Sequence, residues 1–249
     1  VTHTSTPTVT LALIGICVAA FLYQWTLSGP EAEAFLKQYA LIPRRYLDGT
    51  WAAAQGLSRT DPTPLLSNMF LHGGLLHIAS NLWTLWVFGP ALEERLGPAR
   101  MLGLYLAAGI AAGLLHVVFN FSSPIPALGA SGAIAGVIAA YARRFPYAWV
   151  NILQPIGLLP LFFMMPGMLF AGLWFAAQVT QGVGSLMMPA GGGGIAWFAH
   201  IGGFLAGWVL LKRVAPPADA ATEARTATRS MFWPFEVWTR WMRWWWPRR

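Results

Sequence analysis

The chain has 249 residues, of which 56% are hydrophobic and only 10% are charged, and 14 of them are tryptophan. Several apolar runs are long enough to cross a bilayer, which indicates one polytopic membrane domain and excludes a set of soluble domains. The net charge of +7 does not indicate a nucleic-acid partner, because most basic residues lie at the ends of apolar runs, where membrane proteins carry them. A single cysteine, Cys17, excludes an intrachain disulfide.

Six apolar runs predict six membrane-spanning helices, at about 9–27, 77–95, 101–119, 131–141, 158–179 and 195–211. The first run has no basic segment before it and no evident cleavage site, so we predict a retained helix and not a signal peptide. In the long loop 28–75, apolar residues at helical spacing between Glu31 and Leu41 predict a short amphipathic helix at the membrane interface. The fifth run carries Pro160 in its first turn, and a glycine-rich loop, 181–194, follows it.

The basic residues set the expected orientation. Six spans place both ends of the bundle on one side, and most lysines and arginines that end the spans lie on that side, which the positive-inside rule makes cytoplasmic. We therefore predict a multi-pass protein of the cell (inner) membrane with both termini in the cytoplasm. Residues 1–214 are the predicted membrane domain, 215–230 a polar, disordered linker, and 231–249 a Trp/Arg-rich tail at the membrane surface.

Ionisable side chains are costly inside a membrane, and no Asp or Glu lies at mid-membrane depth in the predicted spans. This absence argues against a proton-coupled transporter, whose relays need buried carboxylates. The polar residues that do enter the spans are few: His77, Ser80, Asn81, Thr84, His116, Ser131, Gln178 and His200.

Three of these polar residues share a position relative to the charge that ends their span. Asn81 precedes Glu93, Ser131 precedes Arg143 and His200 precedes Lys212, in each case by 12 residues. Because the three spans run in the same direction and a helix rises about 1.5 Å per residue, each group stands roughly 18 Å from the inner boundary. His77 lies one turn before Asn81 on the same helix face. The spacing therefore predicts a serine, a histidine and a His/Asn pair at one depth on three parallel helices.

Small residues allow two of these helices to approach closely. Gly132 and Gly136 form a GxxxG face on the fourth span, and Gly203 and Gly207 form another on the sixth. Such faces bring helix backbones together, so the serine and the histidine can hydrogen-bond as a nucleophile and its base. The serine also begins its helix, where free backbone N–H groups favour an anion, and the His/Asn pair can supply further donors to an oxyanion.

Four motifs together match a known family. They are His72-x4-His77-x3-Asn81 in the second span, Glu93-x-Arg95-Leu96-Gly97 after it, Gly129-Ala130-Ser131-Gly132 in the fourth, and Ala199-His200-x2-Gly203-x3-Gly207 in the sixth. On these residues the chain resembles the rhomboid intramembrane serine proteases, of bacterial type, over about 9–211. The resemblance implies an all-α bundle of six membrane helices, with a long first outer loop and a water-filled cavity that opens to the outside.

The resemblance also implies the chemistry. Ser131 is the expected nucleophile and His200 the expected general base, a dyad without a carboxylate. His77 and Asn81, with the backbone at Ser131, are expected to bind the oxyanion. The residues expected to support the site are His72, Gly129 and Gly132.

Two departures from the family concern the region before the second span. Members often carry a Trp-Arg pair in the first loop, which 28–75 lacks, and some carry a histidine where this chain has Asn68. These departures bear on the loop and not on the chemistry.

Each site residue also has a structural alternative. Ser131 and His200 can serve helix packing alone, and the His77/Asn81 pair can bond across helices. His72 can orient the loop without touching substrate. The remaining histidine of the spans, His116, has no matching partner and is expected to be packed or to line a cavity.

We predict a serine endopeptidase that cleaves transmembrane segments of other membrane proteins through an acyl-enzyme. Its expected partners are membrane-protein substrates and the lipid bilayer, with no nucleic acid, cofactor or metal. The alternative is a non-catalytic adaptor of the same fold that binds membrane proteins.

A substrate helix must enter sideways from the bilayer. The fifth span is the predicted gate, because the glycine-rich loop after it can let its outer end swing. Trp174 lies near that end and is predicted to close the gate against the second span near Ser80.

Overall fold

The computed structural model describes residues 6–156, 159–186 and 196–214, most of them helical. In chain order the helices are α1 (Thr8–Thr26), α2 (Gly29–Tyr39), α3 (Arg44–Leu47), α4 (Gly49–Ala54), α5 (Thr63–Ser67), α6 (Leu75–Leu96), α7 (Pro98–Phe119), α8 (Ser131–Arg144), α9 (Gly167–Leu186) and α10 (Trp197–Val214). A 3₁₀ turn, Asn68–Phe70, follows α5, and two strands, β1 (Trp149–Ile156) and β2 (Leu159–Pro166), separate α8 from α9. The predicted linker and tail, 215–249, and residues 187–194 of the glycine-rich loop lie outside the described residues.

The predicted helical membrane bundle is confirmed as the fold class. Within the described residues, α1, α6 and α7 are long and apolar enough to cross a membrane. The fourth and sixth predicted spans match α8 and α10, of 14 and 18 residues, and the fifth overlaps α9, of 20 residues, only in part. The last helix, α10, packs against α7 and α8, while α6 packs on α8 and α1 packs on α6. The number of six membrane crossings stays a prediction.

The shortness of α8 matters for the position of its first residue. At about 1.5 Å per residue α8 is roughly 21 Å long, which is less than the hydrocarbon core of about 30 Å. A bundle that crosses a bilayer therefore holds one end of α8 inside the thickness of the membrane. The helices that carry the two predicted catalytic residues, α8 and α10, are in close contact along their length. They therefore also lie side by side at that end of α8.

The fifth predicted span begins in the wrong place. We expected it at 158–179, with Pro160 in its first turn, but strand β2 takes the place of its first turns and α9 begins only at Gly167. A short apolar run has no period that separates a buried strand from a helix. Pro155 and Pro160 face each other in the antiparallel hairpin, and a two-stranded ribbon, which consists only of edges, tolerates them. The other end of α9 also differs from expectation, since residues 181–186 are helical and not loop.

The two predicted glycine faces bring α8 and α10 into backbone contact. A Cβ added at Gly203 would collide with the carbonyl oxygen of Gly132, and a Cβ added at Gly207 would collide with the carbonyl oxygen of Gly136. No flexible side chain can move aside there, because the obstructing atoms are backbone. The close approach that the sequence predicted is therefore confirmed.

The N-terminus of α1 is capped by a side chain of α6. Glu93 is buried, and its carboxylate accepts hydrogen bonds from the N–H groups of Val9 and Thr10, both at 2.8 Å, and from the Thr10 hydroxyl at 2.7 Å. The first turn of a helix cannot bond these N–H groups internally, and its positive end favours a carboxylate. Gly89 provides the space that the Thr10 side chain needs, since a Cβ at position 89 would come within 2.9 Å of Thr10. This contact fastens α1 to α6.

The first loop contains a helix, α2, where a short amphipathic helix was predicted, and is organised around a buried arginine. The Arg45 side chain is 1% exposed, and it bonds the Asp61 carboxylate at 3.0 Å and the Ser58 carbonyl at 2.8 Å. Hydrogen bonds from Thr63, together with the charge of Arg45, hold the pKa of Asp61 below its ordinary value. The loop that lacks the Trp-Arg pair is thus closed by an arginine–aspartate pair.

Candidate active site

Ser131 and His200 meet where α8 and α10 begin. Ser131 is the first residue of α8, and its Oγ lies 2.8 Å from Nε2 of His200, in the first turn of α10. The histidine is buried, and the serine is half-buried. The two residues are 69 positions apart in the sequence, so the contact depends on the glycine-lined approach of the two helices. Ser131 and His200 therefore lie close together, as their equal distances in sequence from the terminal charges predicted.

The other side of the His200 ring contacts α9. Nδ1 of His200 lies 2.6 Å from Oε1 of Gln178, and the Gln178 side chain is buried. The rings of Trp174 and Trp197 lie beside the imidazole, with centroids 5.7 and 6.2 Å away. Sequence reasoning counted Gln178 among the polar residues of the spans but gave it no task. The signal was there: an amide inside an otherwise apolar run, on a helix predicted to cross the membrane.

Trp174 contacts a different helix from the one we expected. Its ring packs against His200 and, at 6.2 Å, against Phe204, both on α10. We predicted a contact with α6 near Ser80. The described stacking between α9 and α6 is made by Phe170 and Phe88, with centroids 5.4 Å apart. The gate itself is tested by none of these contacts and stays a prediction.

His77 faces the serine across the α-carbon of Gly129. A Cβ built on Gly129 would lie 2.8 Å from Nε2 of His77 and 3.7 Å from Oγ of Ser131. Nδ1 of His77 accepts a hydrogen bond from the Gly73 N–H at 3.3 Å, so the ring proton of the neutral imidazole lies on Nε2. Gly129 has a φ of +131°, which side-chain-bearing residues rarely adopt. A glycine here is required both by the backbone and by the space for the histidine.

Asn81 and His72 flank His77. Asn81 is buried, one turn further along α6, and its Nδ2 donates to the His77 carbonyl at 3.0 Å. The His72 ring packs edge-on against that of His77 at 5.2 Å, and its backbone is held on both sides by the amide of Gln24. Burial lowers the pKa of His72 to about 4. His72 is therefore neutral near pH 7 and supports the His77 ring from behind.

A small cavity borders the serine. It has room for at least one water molecule, and its lining includes Ser131, Gly129, Gly132, Asn68 and His116. His116, expected to be packed or to line a cavity, lies in this wall, and its Nδ1 bonds the Asn120 amide at 3.2 Å. Within the described residues, His, Cys, Asp and Glu side chains form no group of three that could hold a metal ion.

The arrangement supplies the parts of an acyl-transfer site. A hydroxyl is bonded to an imidazole, free backbone N–H groups lie at the start of α8, an imidazole N–H faces the same point, and a cavity borders them. No carboxylate takes part in the described contacts of Ser131 and His200.

The sequence matches known proteins over most of this region. The model of the rhomboid domain matches residues 59–216, which is more than half of the chain. The chain is 28% identical over 211 residues to rhomboid protein 1, mitochondrial, of Saccharomyces cerevisiae, which is 82% of this chain and 53% of that protein.

Two further relatives match shorter stretches. The rhomboid protease GluP of Bacillus subtilis is 46% identical over 76 residues, 30% of this chain and 14% of that protein. Presenilin-associated rhomboid-like protein A, mitochondrial, of Danio rerio is 30% identical over 156 residues, 60% of this chain and 37% of that protein. The matched region thus spans about half the length of the yeast relative and less of the other two.

Proposed function

Because this chain belongs to the rhomboid family, we propose that it is an intramembrane serine endopeptidase that cleaves transmembrane segments of other membrane proteins. The observation that carries the proposal is the hydrogen bond between Ser131 and His200 at 2.8 Å, inside an apolar bundle. Hydroxyls that only pack helices bond backbone carbonyls of their own helix, as Ser80 and Thr84 do in α6. Ser131 instead bonds an imidazole on another helix, which is what a nucleophile requires.

In the first step the Ser131 Oγ attacks the carbonyl carbon of the scissile peptide bond. The Oγ–C bond forms while His200 Nε2 takes the hydroxyl proton. The tetrahedral adduct collapses, the C–N bond breaks, and His200 returns the proton to the leaving amine. The products of this step are an acyl-Ser131 ester and the released amine half of the substrate.

The candidate donors for the oxyanion of the adduct lie beside Ser131. Backbone N–H groups in the first turn of α8 point toward it, and the Nε2–H of His77 faces the same point across Gly129. Asn81 lies within one turn of His77, and rotation of its side chain from the His77 carbonyl would add a second side-chain donor. Fixed dipoles of this kind are strongest in a water-poor site.

The ester is then hydrolysed by water from the cavity. His200 Nε2 takes a proton from the water while its oxygen attacks the acyl carbon, and the proton passes to Ser131 Oγ as the ester bond breaks. The cavity next to Ser131 has room for this water. A helical substrate has to unwind to present its peptide bond, so helix-weakening residues near the cleavage site are expected.

The substrate class and the orientation belong to the same proposal. Membrane proteins reach Ser131 from the bilayer, with α9 and Trp174 as the entry side. The basic residues favour the cytoplasmic side for the start of α1 and the end of α10. The cavity then opens on the opposite side of an inner membrane.

Cleavage by reconstituted protein tests the proposal. The 249-residue chain in liposomes, with a model single-span substrate carrying a glycine in its outer half, should give two fragments. Ser131→Ala should give none, whereas Ser80→Ala, a matched change at an exposed serine of α6, should cleave as the parent does. Binding of the substrate without cleavage by the parent would favour the non-catalytic adaptor.

A further inference from the structure

Gln178 bonds the side of the His200 ring that faces away from the serine. Its Oε1 lies 2.6 Å from Nδ1, and the two side chains are only 6% and 9% exposed. We propose that Gln178 is a positioning residue, whose amide oxygen holds His200 in the one tautomer that can take a proton from Ser131. This inference rests on the proposed function and adds a third residue to the Ser–His pair.

The positions of the protons follow from the chemistry of the amide. A carbonyl oxygen can only accept, so Nδ1 of His200 must carry the hydrogen of the bond to Gln178. In a neutral imidazole the other nitrogen, Nε2, is then unprotonated and accepts. Ser131 Oγ, 2.8 Å away, is consequently the donor. With the opposite tautomer, Nε2–H would point at the hydroxyl oxygen, and the imidazole could not act as its base.

The other neighbours of His200 cannot replace Gln178. Trp174 and Trp197 lie beside the ring, but the polar group of an indole is a donor with no acceptor lone pair. These rings lie against the imidazole and leave its tautomer undetermined. Hydrogen bonds to Gln178 and Ser131 occupy both ring nitrogens, so rotation of the ring by half a turn would break both.

A neutral amide suits this place in the molecule. A carboxylate in the same position would be a buried charge in an apolar bundle, at a high desolvation cost. An amide orients the imidazole at a much lower cost, because it needs only hydrogen bonds to be satisfied when buried. This explains how a site without a carboxylate can still fix the direction of its base.

The tautomer can be measured directly by nitrogen NMR. The chain has five histidines, so labelling them with ¹⁵N gives few ring signals, and the His200→Ala spectrum identifies those of His200. At a pH where the ring is neutral, the parent should show a protonated Nδ1 and an unprotonated Nε2. In Gln178→Leu the two nitrogens should exchange character or average. A parent protein with a protonated Nε2 would overturn the proposal, whatever the variants do.

Labelling kinetics supply the second readout. We expect Gln178→Leu to lower the rate of fluorophosphonate labelling of Ser131 about tenfold to a hundredfold, the range for one buried donor left without its partner. Gln178→Glu keeps an acceptor oxygen on a side chain of equal length, and in the protonated, neutral form that burial favours it should recover most of the rate. The control is Gln181→Leu, the same change three residues on at an exposed site of α9, which should label as the parent does.

The outcomes separate this inference from the function on which it rests. A parent that is not labelled at Ser131 contradicts the proposed function. If the parent is labelled at Ser131 and Gln178→Leu is labelled at the same rate, only the role of Gln178 is contradicted. If Gln178→Leu and Gln178→Glu lose the same activity and the same thermal stability, Gln178 serves helix packing, and its positioning role is contradicted.

Discussion

Two buried polar clusters lie near opposite ends of α6. In one, every polar group is bonded within the protein, and in the other, the last group of the hydrogen-bonded chain borders a cavity. At the C-terminal end, Glu93 accepts from the first turn of α1, so each oxygen of the carboxylate is bonded and no reactive group is exposed. At the other end, the chain of bonds from Gln178 through His200 stops at the Ser131 hydroxyl, which borders a cavity. A closed cluster fixes two helices in place. An open one, next to space for substrate and water, can do chemistry.

The largest effects are expected at the open cluster. Ser131→Ala and His200→Ala should each lower cleavage of a reconstituted substrate by a factor on the order of 10³ or more, with the folded helical content retained. The double variant should be no slower than either single one, because the two side chains act as a unit. Additive losses would mean that they do not share one step.

The donors beside the open cluster should come next. His77→Ala and Asn81→Ala should each slow cleavage roughly 10²- to 10³-fold, the usual loss for one oxyanion donor. Fluorophosphonate should still label Ser131 in both. Thr84→Ala, one turn further along α6 at a half-buried site, is the control and should match the parent. Parent-like turnover in both donor variants would make these residues structural.

The closed cluster should affect stability and not chemistry. Glu93→Gln offers one acceptor oxygen in place of two, and its amide hydrogens oppose the donors of Thr10. We expect the free energy of unfolding to fall by about 2–4 kcal/mol, measured by denaturation in detergent. The cleavage rate per folded molecule should stay at the parent value. Glu31→Gln, at an exposed carboxylate of α2, should be close to neutral, and an equal loss there would argue against the cap.

The pair in the first loop gives a pH-dependent contrast. Because the folded-state pKa of Asp61 is lowered, its contribution is present above the ordinary carboxyl range and is lost as the pH falls through the lowered value. The protection of the loop residues 41–63 against hydrogen exchange, relative to the intrinsic rate at each pH, should therefore fall in acid. Asp61→Asn should show this lower protection already at neutral pH and little further loss in acid. Glu31→Gln, at an exposed carboxyl of α2, should leave the profile unchanged.

The smallest effect is expected at the entry side. Trp174→Ala removes ring contacts to His200 and Phe204 and should lower thermal stability while leaving cleavage equal to the parent or faster, as a loosened gate predicts. The control is Leu173→Ala, at an exposed position of the same helix. A folded Trp174→Ala protein that loses most of its activity would contradict the gate and assign the tryptophan to the support of His200.

The same contrast explains how far the sequence could be read. Counting residues back from terminal charges placed Ser131 and His200 together, because helix rise is constant and both helices end in basic residues. The depth of Gln178 could not be found in this way. Its helix follows a β-hairpin whose apolar sequence cannot be told from that of a helix, so the start of the helix could not be fixed and gave no reference point.

Contacts between residues that are far apart in the sequence could not be predicted either. The pairing of Arg45 with Asp61, and the cap that Glu93 gives to α1, depend on how the chain folds back on itself. No local period or spacing encodes these pairs. The glycine faces of α8 and α10, in contrast, were readable, because a four-residue repeat of glycine has a direct meaning in helix packing.

The central claim is that Ser131 is a nucleophile activated by His200, and its most direct test is the site of a covalent adduct. The parent protein in detergent should be treated with a fluorophosphonate, digested and analysed by mass spectrometry. We expect one adduct, on Ser131, that is absent in His200→Ala although Ser131 is still present. No adduct on Ser131 in the folded parent, or equal labelling in His200→Ala, would contradict the account.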